Sequence, residues 1–318
     1  MRNFRSNPAQ RRDHYQELTD KIIAALDAGT APWRRRWDKT AGGATAPVNA
    51  ATGHRYRGIN LFVLGMSPLA FASNDPRWCS YRQAAARGWQ VRRGEKATPV
   101  YFYKPIEIED QTTDGGRETR RIPMLRMFSV FHASQIDGIP ALAPAVATKT
   151  VVHRIQDVEI IVQASGVPVR IGGDRAFYSP ALDLIQMPPD EAFHSPEERA
   201  ATLFHELSHA SGHASRLNRD LSGRFGSASY AKEELRAELA SYAIGSMIGL
   251  PCDVPNHASY LQSWIGVLKQ DRREIFRAAA EAQRIADYIL GFHPDYAEKA
   301  ADAADDDDAS TIAAPLAA

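Results

Sequence analysis

Cysteine is nearly absent from this chain: two residues in 318, Cys79 and Cys252, far apart and in no CxxC pair. That excludes a disulfide framework and points to a reducing compartment, the cytoplasm. Long apolar runs are missing too. A membrane helix needs roughly 18 such residues, and the stretch from Leu239 to Cys252 is shorter and holds Ser, Tyr, Gly and Pro. No apolar segment follows the basic first dozen residues, so a secretory leader is not expected. Net charge is the last absence, with 38 Lys and Arg against 38 Asp and Glu.

The balance of charge conceals an asymmetry. Residues 1–100 carry 17 Lys and Arg against 7 Asp and Glu, whereas the end holds Glu298, Asp302 and Asp305 to Asp308 against Lys299 alone. A basic first third points to a polyanionic partner, nucleic acid before others. The Ala- and Asp-rich tail, 297–318, is expected to be disordered.

Local patterns divide the rest. Tyr15, Leu18, Ile22 and Leu26 recur at three- and four-residue steps, which predicts an amphipathic helix over 13–29 ended by Gly29 and Pro32. Ser80 and Gln83 form a capping-box pattern for a helix over 81–87, with Gly88 as its stop. Strand-like runs follow at 90–91, 99–104 and 124–131, the last two joined through a polar turn around Asp114-Gly115-Gly116. Residues 1–138 therefore read as a small α+β domain and 139–150, with two prolines and no periodicity, as a linker. The second domain, 151–296, is expected to be mainly helical with a short β-sheet: a helix or strand near 151–163, a β-rich run over 169–187, then helices at 196–212, 230–249 and 257–290. The last of these should break near Gln270-Asp271.

The most informative segment is His205-Glu206-Leu207-Ser208-His209. Ser195, Pro196 and Glu198 start a helix here, which puts His205 and His209 one turn apart on the face opposite Leu203 and Leu207. Two imidazoles at i and i+4 are spaced to chelate one zinc ion, and Glu206, rotated about 100° from His205, is placed to act as general base. Hydrolytic zinc needs a third protein ligand and an open position. His213 lies too far along a continuous helix, and Ser215 stands where the longer HExxHxxGxxH pattern has its third histidine. On a helix over 230–249, Glu234, Ala237, Glu238, Ser241 and Gly245 share one arc. Glu234 or Glu238 is then the third ligand, and the other hydrogen-bonds a ligating histidine and fixes its tautomer. Glu233 points off this arc and reads as solvated. Residues 175–186 read as a hairpin whose edge strand could pair with an extended substrate, and Tyr178, Tyr230 and His257 are candidate oxyanion donors.

A second constellation mixes cations with rings: Trp33, Arg34, Arg35, Arg36 and Trp37, then Tyr81, Arg92, Arg93 and Lys96. Aromatic faces that stack on bases, beside cations that follow phosphates, suit single-stranded DNA.

Together these stretches resemble the antirestriction protein ArdC family. The resemblance rests on Ala31-Pro32-Trp33 with Trp37, Asn49, Tyr56-Arg57-Gly58-Ile59-Asn60, Tyr81 with Gln83-Ala84, the run 91–96 and Gln135-Ile136-Asp137-Gly138. In the second half it runs through 205–213, Arg216-Leu217, the run 230–235 and Ala237-Glu238. It implies a single-stranded-DNA-binding domain shared with TraC-type primases, joined to a zincin-like metallopeptidase domain, in a protein of mobile elements that protects incoming DNA from host restriction. It also favours Glu234 as the metal ligand and Glu238 as the histidine's partner. The expected activity is zinc-dependent cleavage of a protein met on DNA, for example a host restriction enzyme. The alternative is a protein that coats single strands and uses zinc only to tie helices together.

Overall fold

A computed structural model describes residues 13–29, 31–33, 46–73, 75–111, 117–142, 149–250 and 258–297; for Phe71 and residues 104–111, 117–123 and 258–259 it describes the backbone alone. The polar turn around Asp114, the arginine run at 34–36 with Trp37, His257 and the acidic tail lie outside the described residues. The chain is α+β.

Helix α1 (His14–Asp27) starts where the sequence predicts: the Asp13 carboxylate accepts from the backbone N–H groups of Tyr15 and Gln16. Its buried stripe is Leu18, Thr19, Ile22 and Leu26. Each aliphatic side chain so buried contributes about 1.5–3 kcal/mol. After it come β1 (Val48–Asn49), α2 (Ile59–Gly65), α3 (Pro68–Ala72), β2 (Arg77–Cys79) and α4 (Tyr81–Ala86), the last with the predicted Ser80–Gln83 capping box formed. Strands β3 (Gln90–Val91), β4 (Thr98–Gln111), β5 (Arg117–His132) and β6 (Ile136–Asp137) complete the first half. The sheet order is β1-β2-β5-β4, and β3 pairs with β6 separately. The long β4–β5 ribbon runs in register from Thr98 opposite Val130 to Gln111 opposite Arg117. It reaches well beyond the two short runs that hydrophobicity marks, because the added residues are polar and charged.

The second half opens with α5 (Val151–Ser165), followed by β7 (Val169–Ile171), β8 (Phe177–Ser179) and β9 (Leu184–Met187). In this sheet β9 is central, β7 lies parallel to it and β8 is an antiparallel edge. Helices α6 (Pro196–Ala210), α7 (Ala228–Ile248), α8 (Ala258–Gln270) and α9 (Glu274–Leu290) follow, with the break after Gln270 as expected. Helix α7 is buried along most of its length. Its Ala231, Ala237, Ala240, Ala243 and Gly245 let neighbouring helices approach closely.

One apolar core spans both halves. Leu18, Ile22, Leu26, Trp33, Ile59 and Phe62 belong to the same buried cluster as Leu203, Leu235, Trp264 and Ile285. Polar ties reinforce it: Arg57 pairs with Asp287 at 2.5 Å, the Gly58 N–H donates to Gln283 Oε1 at 2.9 Å, and Thr19 Oγ1 donates to the Arg272 carbonyl at 2.8 Å. Gly65 sits against the Tyr242 hydroxyl, so any side chain there would collide with α7.

Candidate metal centre

Helix α6 is held at its start by Ser195 Oγ, which accepts from the Glu198 N–H at 3.1 Å, with Pro196 in the first turn. It is buried almost all round from Ala200 to Ser208, so its two histidines face an enclosed space rather than a polar surface. His205 Nε2 and His209 Nε2 lie 3.1 Å apart. From α7, Glu234 straddles the pair, with Oε2 at 3.5 Å from His205 Nε2 and Oε1 at 3.5 Å from His209 Nε2. Adjacent donors on a tetrahedral ion with bonds of about 2.05 Å are separated by about 3.3 Å. The three residues therefore fit a metal such as zinc without rearrangement, and one donor atom from each lies within 4.8 Å of the others.

The far sides of both rings are backed by acid. Glu238 Oε2 lies 4.0 Å from His205 Nδ1, and Glu233 Oε1 lies 3.3 Å from His209 Nδ1. Glu233 is within hydrogen-bond reach of its ring and keeps Nε2 of His209 facing the other histidine, whereas Glu238 approaches His205 at ion-pair distance. The reading of Glu233 as solvated is thus corrected: it is 9% exposed and is clasped by Arg219 through Nη2 at 2.6 Å and Nε at 3.3 Å. Arg219 reaches it from the loop after α6, where no spacing rule in the sequence would place it. His213 stands past the end of α6, against Ser215 Oγ at 2.8 Å, and takes no part.

Four buried carboxylates, Glu206, Glu233, Glu234 and Glu238, surround two imidazoles, a field that calls for a cation. It is visible in the protonation of the groups. Burial acts to lower His209, but Glu234, Glu233 and Glu206 outweigh it and push the ring up to about 9. Burial would raise Glu234, yet the two histidines and the Tyr230 hydroxyl bring it down to about 2. Glu233 is held below its usual range because its bonds to His209 and Arg219 overcome burial. Glu206 is the exception: burial dominates and raises it, although the histidines and a backbone hydrogen bond from Tyr178 oppose this.

The donors open into a cavity of about 270 Å³ whose walls include Phe177, Tyr178, Glu206, Leu221, Tyr230 and Tyr260. The predicted hairpin forms, and its edge strand β8 is one wall. Of the candidate oxyanion donors, Tyr178 is engaged elsewhere: its hydroxyl donates to Asp183 Oδ1 at 2.7 Å and accepts from Arg216 Nη2 at 3.2 Å. Tyr230 faces the cavity with its hydroxyl 3.2 Å from that of Tyr260, a residue the sequence alone did not single out.

The basic aromatic constellation separates into parts. Trp33 is 1% exposed and packs on Trp264 with ring centroids 6.0 Å apart, so it cannot stack on a base; that assignment is corrected. Trp78 and Tyr101 are also core. Tyr81 is 53% exposed, and Arg93 and Lys96 are exposed. Arg92 is exposed but is already paired with Glu95 at 2.8 Å and Asp137 at 3.3 Å. Among the described residues no helix is long and apolar enough to cross a membrane.

Comparison with known proteins gives two family matches. Residues 12–131 match the N-terminal domain of the anti-restriction factor ArdC, and residues 156–281 match a zincin-like metallopeptidase. Among curated proteins, an Escherichia coli "DNA primase TraC" is 43% identical over 300 residues, covering 90% of this chain but 20% of the primase. A second E. coli primase of that name is 44% identical, covering 87% of this chain and 27% of its own length. The chain thus spans only a fifth to about a quarter of these two relatives. "Uncharacterized protein y4eC" of Sinorhizobium fredii is 39% identical, covering 87% of this chain and 91% of that protein. Among solved structures, the antirestriction ArdC protein of plasmid R388 in its metal-free form is 38% identical. That match covers 90% of this chain and 99% of the other, with a TM-score of 0.75. An Mn(II)-bound structure of that protein matches over 90% and 100% of the two chains, with a TM-score of 0.71.

Proposed function

The chain belongs to the ArdC antirestriction family, and from that premise we propose that it is a zinc-dependent metallopeptidase that binds single-stranded DNA and protects incoming DNA from restriction. The observation that carries the catalytic half is that, among the described residues, the donor set has three members and no fourth. A structural zinc site is closed by four protein ligands, whereas a hydrolytic one has three and an open side. Here two imidazoles and one carboxylate border a cavity, and a fourth carboxylate, Glu206, shares it without being one of the donors. That argument favours catalysis over a zinc that merely ties α6 to α7.

His205, His209 and Glu234 would hold the ion. When bound, it supplies Lewis-acid polarisation of a peptide carbonyl and a water made easier to deprotonate. The chain's own residues supply the rest. Glu206, raised by burial, accepts a proton in the cavity and returns it to the leaving amine. Tyr230 and Tyr260 are bonded to each other through their hydroxyls, and the one whose O–H is left over donates to the oxygen that gains charge. Strand β8 offers backbone groups to an extended protein segment. That the R388 protein has an Mn(II)-bound structure supports divalent-cation binding by this chain, and the His-His-Glu donor chemistry favours zinc at this centre.

The DNA half rests on the basic first third and on exposed Tyr81, Arg93 and Lys96. The protein substrate we propose is one met on the DNA, a restriction enzyme being the case that accounts for protection. The test compares wild type with Glu206→Gln for cleavage of a denatured protein, with and without an oligonucleotide, at measured full metal occupancy. Cleavage by wild type and its loss in the variant are expected. Equal cleavage by both would refute the role of Glu206, and no cleavage by either on any protein partner would leave DNA coating as the function.

A further inference from the structure

Trp33 belongs by sequence to the first half, inside the stretch that matches the ArdC N-terminal domain. By position it belongs to the metal centre. Its indole Nε1–H donates to Glu238 Oε1 at 3.3 Å, with both residues buried, and the other oxygen of Glu238 lies 4.0 Å from His205 Nδ1. A contiguous path thus runs from Trp33 through Glu238 to His205. The two histidines are supported differently. His209 is backed by Glu233 and Arg219, both from the second half; His205 is backed by a carboxylate anchored from the first.

We propose that Trp33 is a positioning residue of the metal centre, and that its indole N–H fixes the Glu238 carboxylate behind His205, so that the first half of the chain completes the site. This rests on the reading of His205, His209 and Glu234 as ligands. A carboxylate on α7 can rotate about its terminal torsion. An indole N–H holding one oxygen determines where the other faces. Trp33 fills space beside Trp264, and its indole also brings an N–H to Glu238, which a phenyl ring could not do. Groups that orient metal ligands in this way are commonly worth 10- to 100-fold in metal affinity. The zincin-like half by itself, without residue 33, lacks that support.

The experiment uses the full chain, stripped of metal, and reads zinc affinity by competition with a chromophoric chelator and the visible spectrum of the cobalt-substituted protein. Trp33→Phe is expected to weaken zinc binding about 10-fold, the low end of that range because Trp33 acts through another residue, and to alter the cobalt bands. Trp78→Phe removes an equally buried indole from a separate cluster; it should stay within about 2-fold of wild type. In a Glu238→Gln background, Trp33→Phe should add less than about 2-fold. Should Trp33→Phe not fold, the benzothiophene isostere of tryptophan at position 33 keeps the shape and deletes only the N–H. Unchanged zinc affinity in that isostere, an equal loss in Trp78→Phe, or full multiplication of the Trp33 and Glu238 effects would each overturn the proposal. Wild type that fails to bind zinc would overturn the reading of the centre as well, which distinguishes the two failures.

Discussion

Arg219 offers the sharpest stability prediction. Its guanidinium grips Glu233 with two nitrogens, donates to the Ser208 carbonyl at 2.7 Å and reaches Ser211 Oγ at 2.8 Å, all with 7% of the side chain exposed. In Arg219→Leu the Glu233 carboxylate stays buried with His209 Nδ1 as its remaining partner. Breaking a buried pair from one side costs about 3–5 kcal/mol. The lower end applies, because Glu233 borders the cavity and water can reach it. The Ser208 carbonyl is spared, since Ser211 Oγ donates to it at 2.6 Å. The expected loss is therefore about 3 kcal/mol, or about 6 °C at roughly 2 °C per kcal/mol in a chain of this size. Thermal melts and urea unfolding in excess chelator measure it without interference from metal. Arg219→Leu combined with Glu233→Leu should recover most of the loss, since both charges then leave together. A single-variant cost below about 1 kcal/mol, or a double variant no better than the single one, would show that the pair is not what holds this loop.

Three further expectations can be checked separately. A Cβ at Gly223 would lie 2.6 Å from the Tyr230 backbone nitrogen; Gly223→Ala should cost about 1–3 kcal/mol and lower kcat through Tyr230, and a variant with wild-type melting and turnover would contradict that contact. Replacing Arg93 and Lys96 together by Ala should flatten the salt dependence of single-strand affinity by about 1.4 in log–log slope, at about 0.7 per phosphate contact; an unchanged slope would remove these two from the DNA surface. The Asp183 carboxyl is held below its ordinary 3.8, chiefly by the Arg216 hydrogen bonds, which overcome partial burial, with Tyr178 helping. With the folded value depressed, the tie between the β8–β9 hairpin and the loop after α6 contributes fully above pH 3.8 and is lost as pH falls through the folded value. Amide protection over 177–186 should therefore drop as pH is lowered below 3.8 in wild type and be less pH-sensitive in Asp183→Asn.

What the sequence discloses is what local physics determines. The Ser195 cap, the Ser80–Gln83 box, the stripe on α1 and the i, i+4 histidines each depend on residues within one or two turns, and each forms as read. The convergence of Glu234 on the histidines could be narrowed to one arc of α7 because small residues beside it imply close helix contact. Short elements such as β1 and α2 were not legible, since two paired residues or seven fully buried ones carry no period. Two individual residues were misplaced for a related reason. Glu233 is one position from a ligand and looks solvated on a helical wheel; His209 and Arg219, the latter arriving from a loop fourteen positions earlier, make its burial tolerable. Trp33 sits beside an arginine run, and those neighbours point to DNA. Chain neighbours say what an extended segment presents to a ligand, but a single ring can turn away from them. Here it turns into the core towards Trp264, and a buried indole N–H needs an acceptor, which Glu238 provides. The same fact explains its burial and its role: a residue whose neighbours point to DNA faces the metal centre, with the arginine run beginning at the next position along the chain.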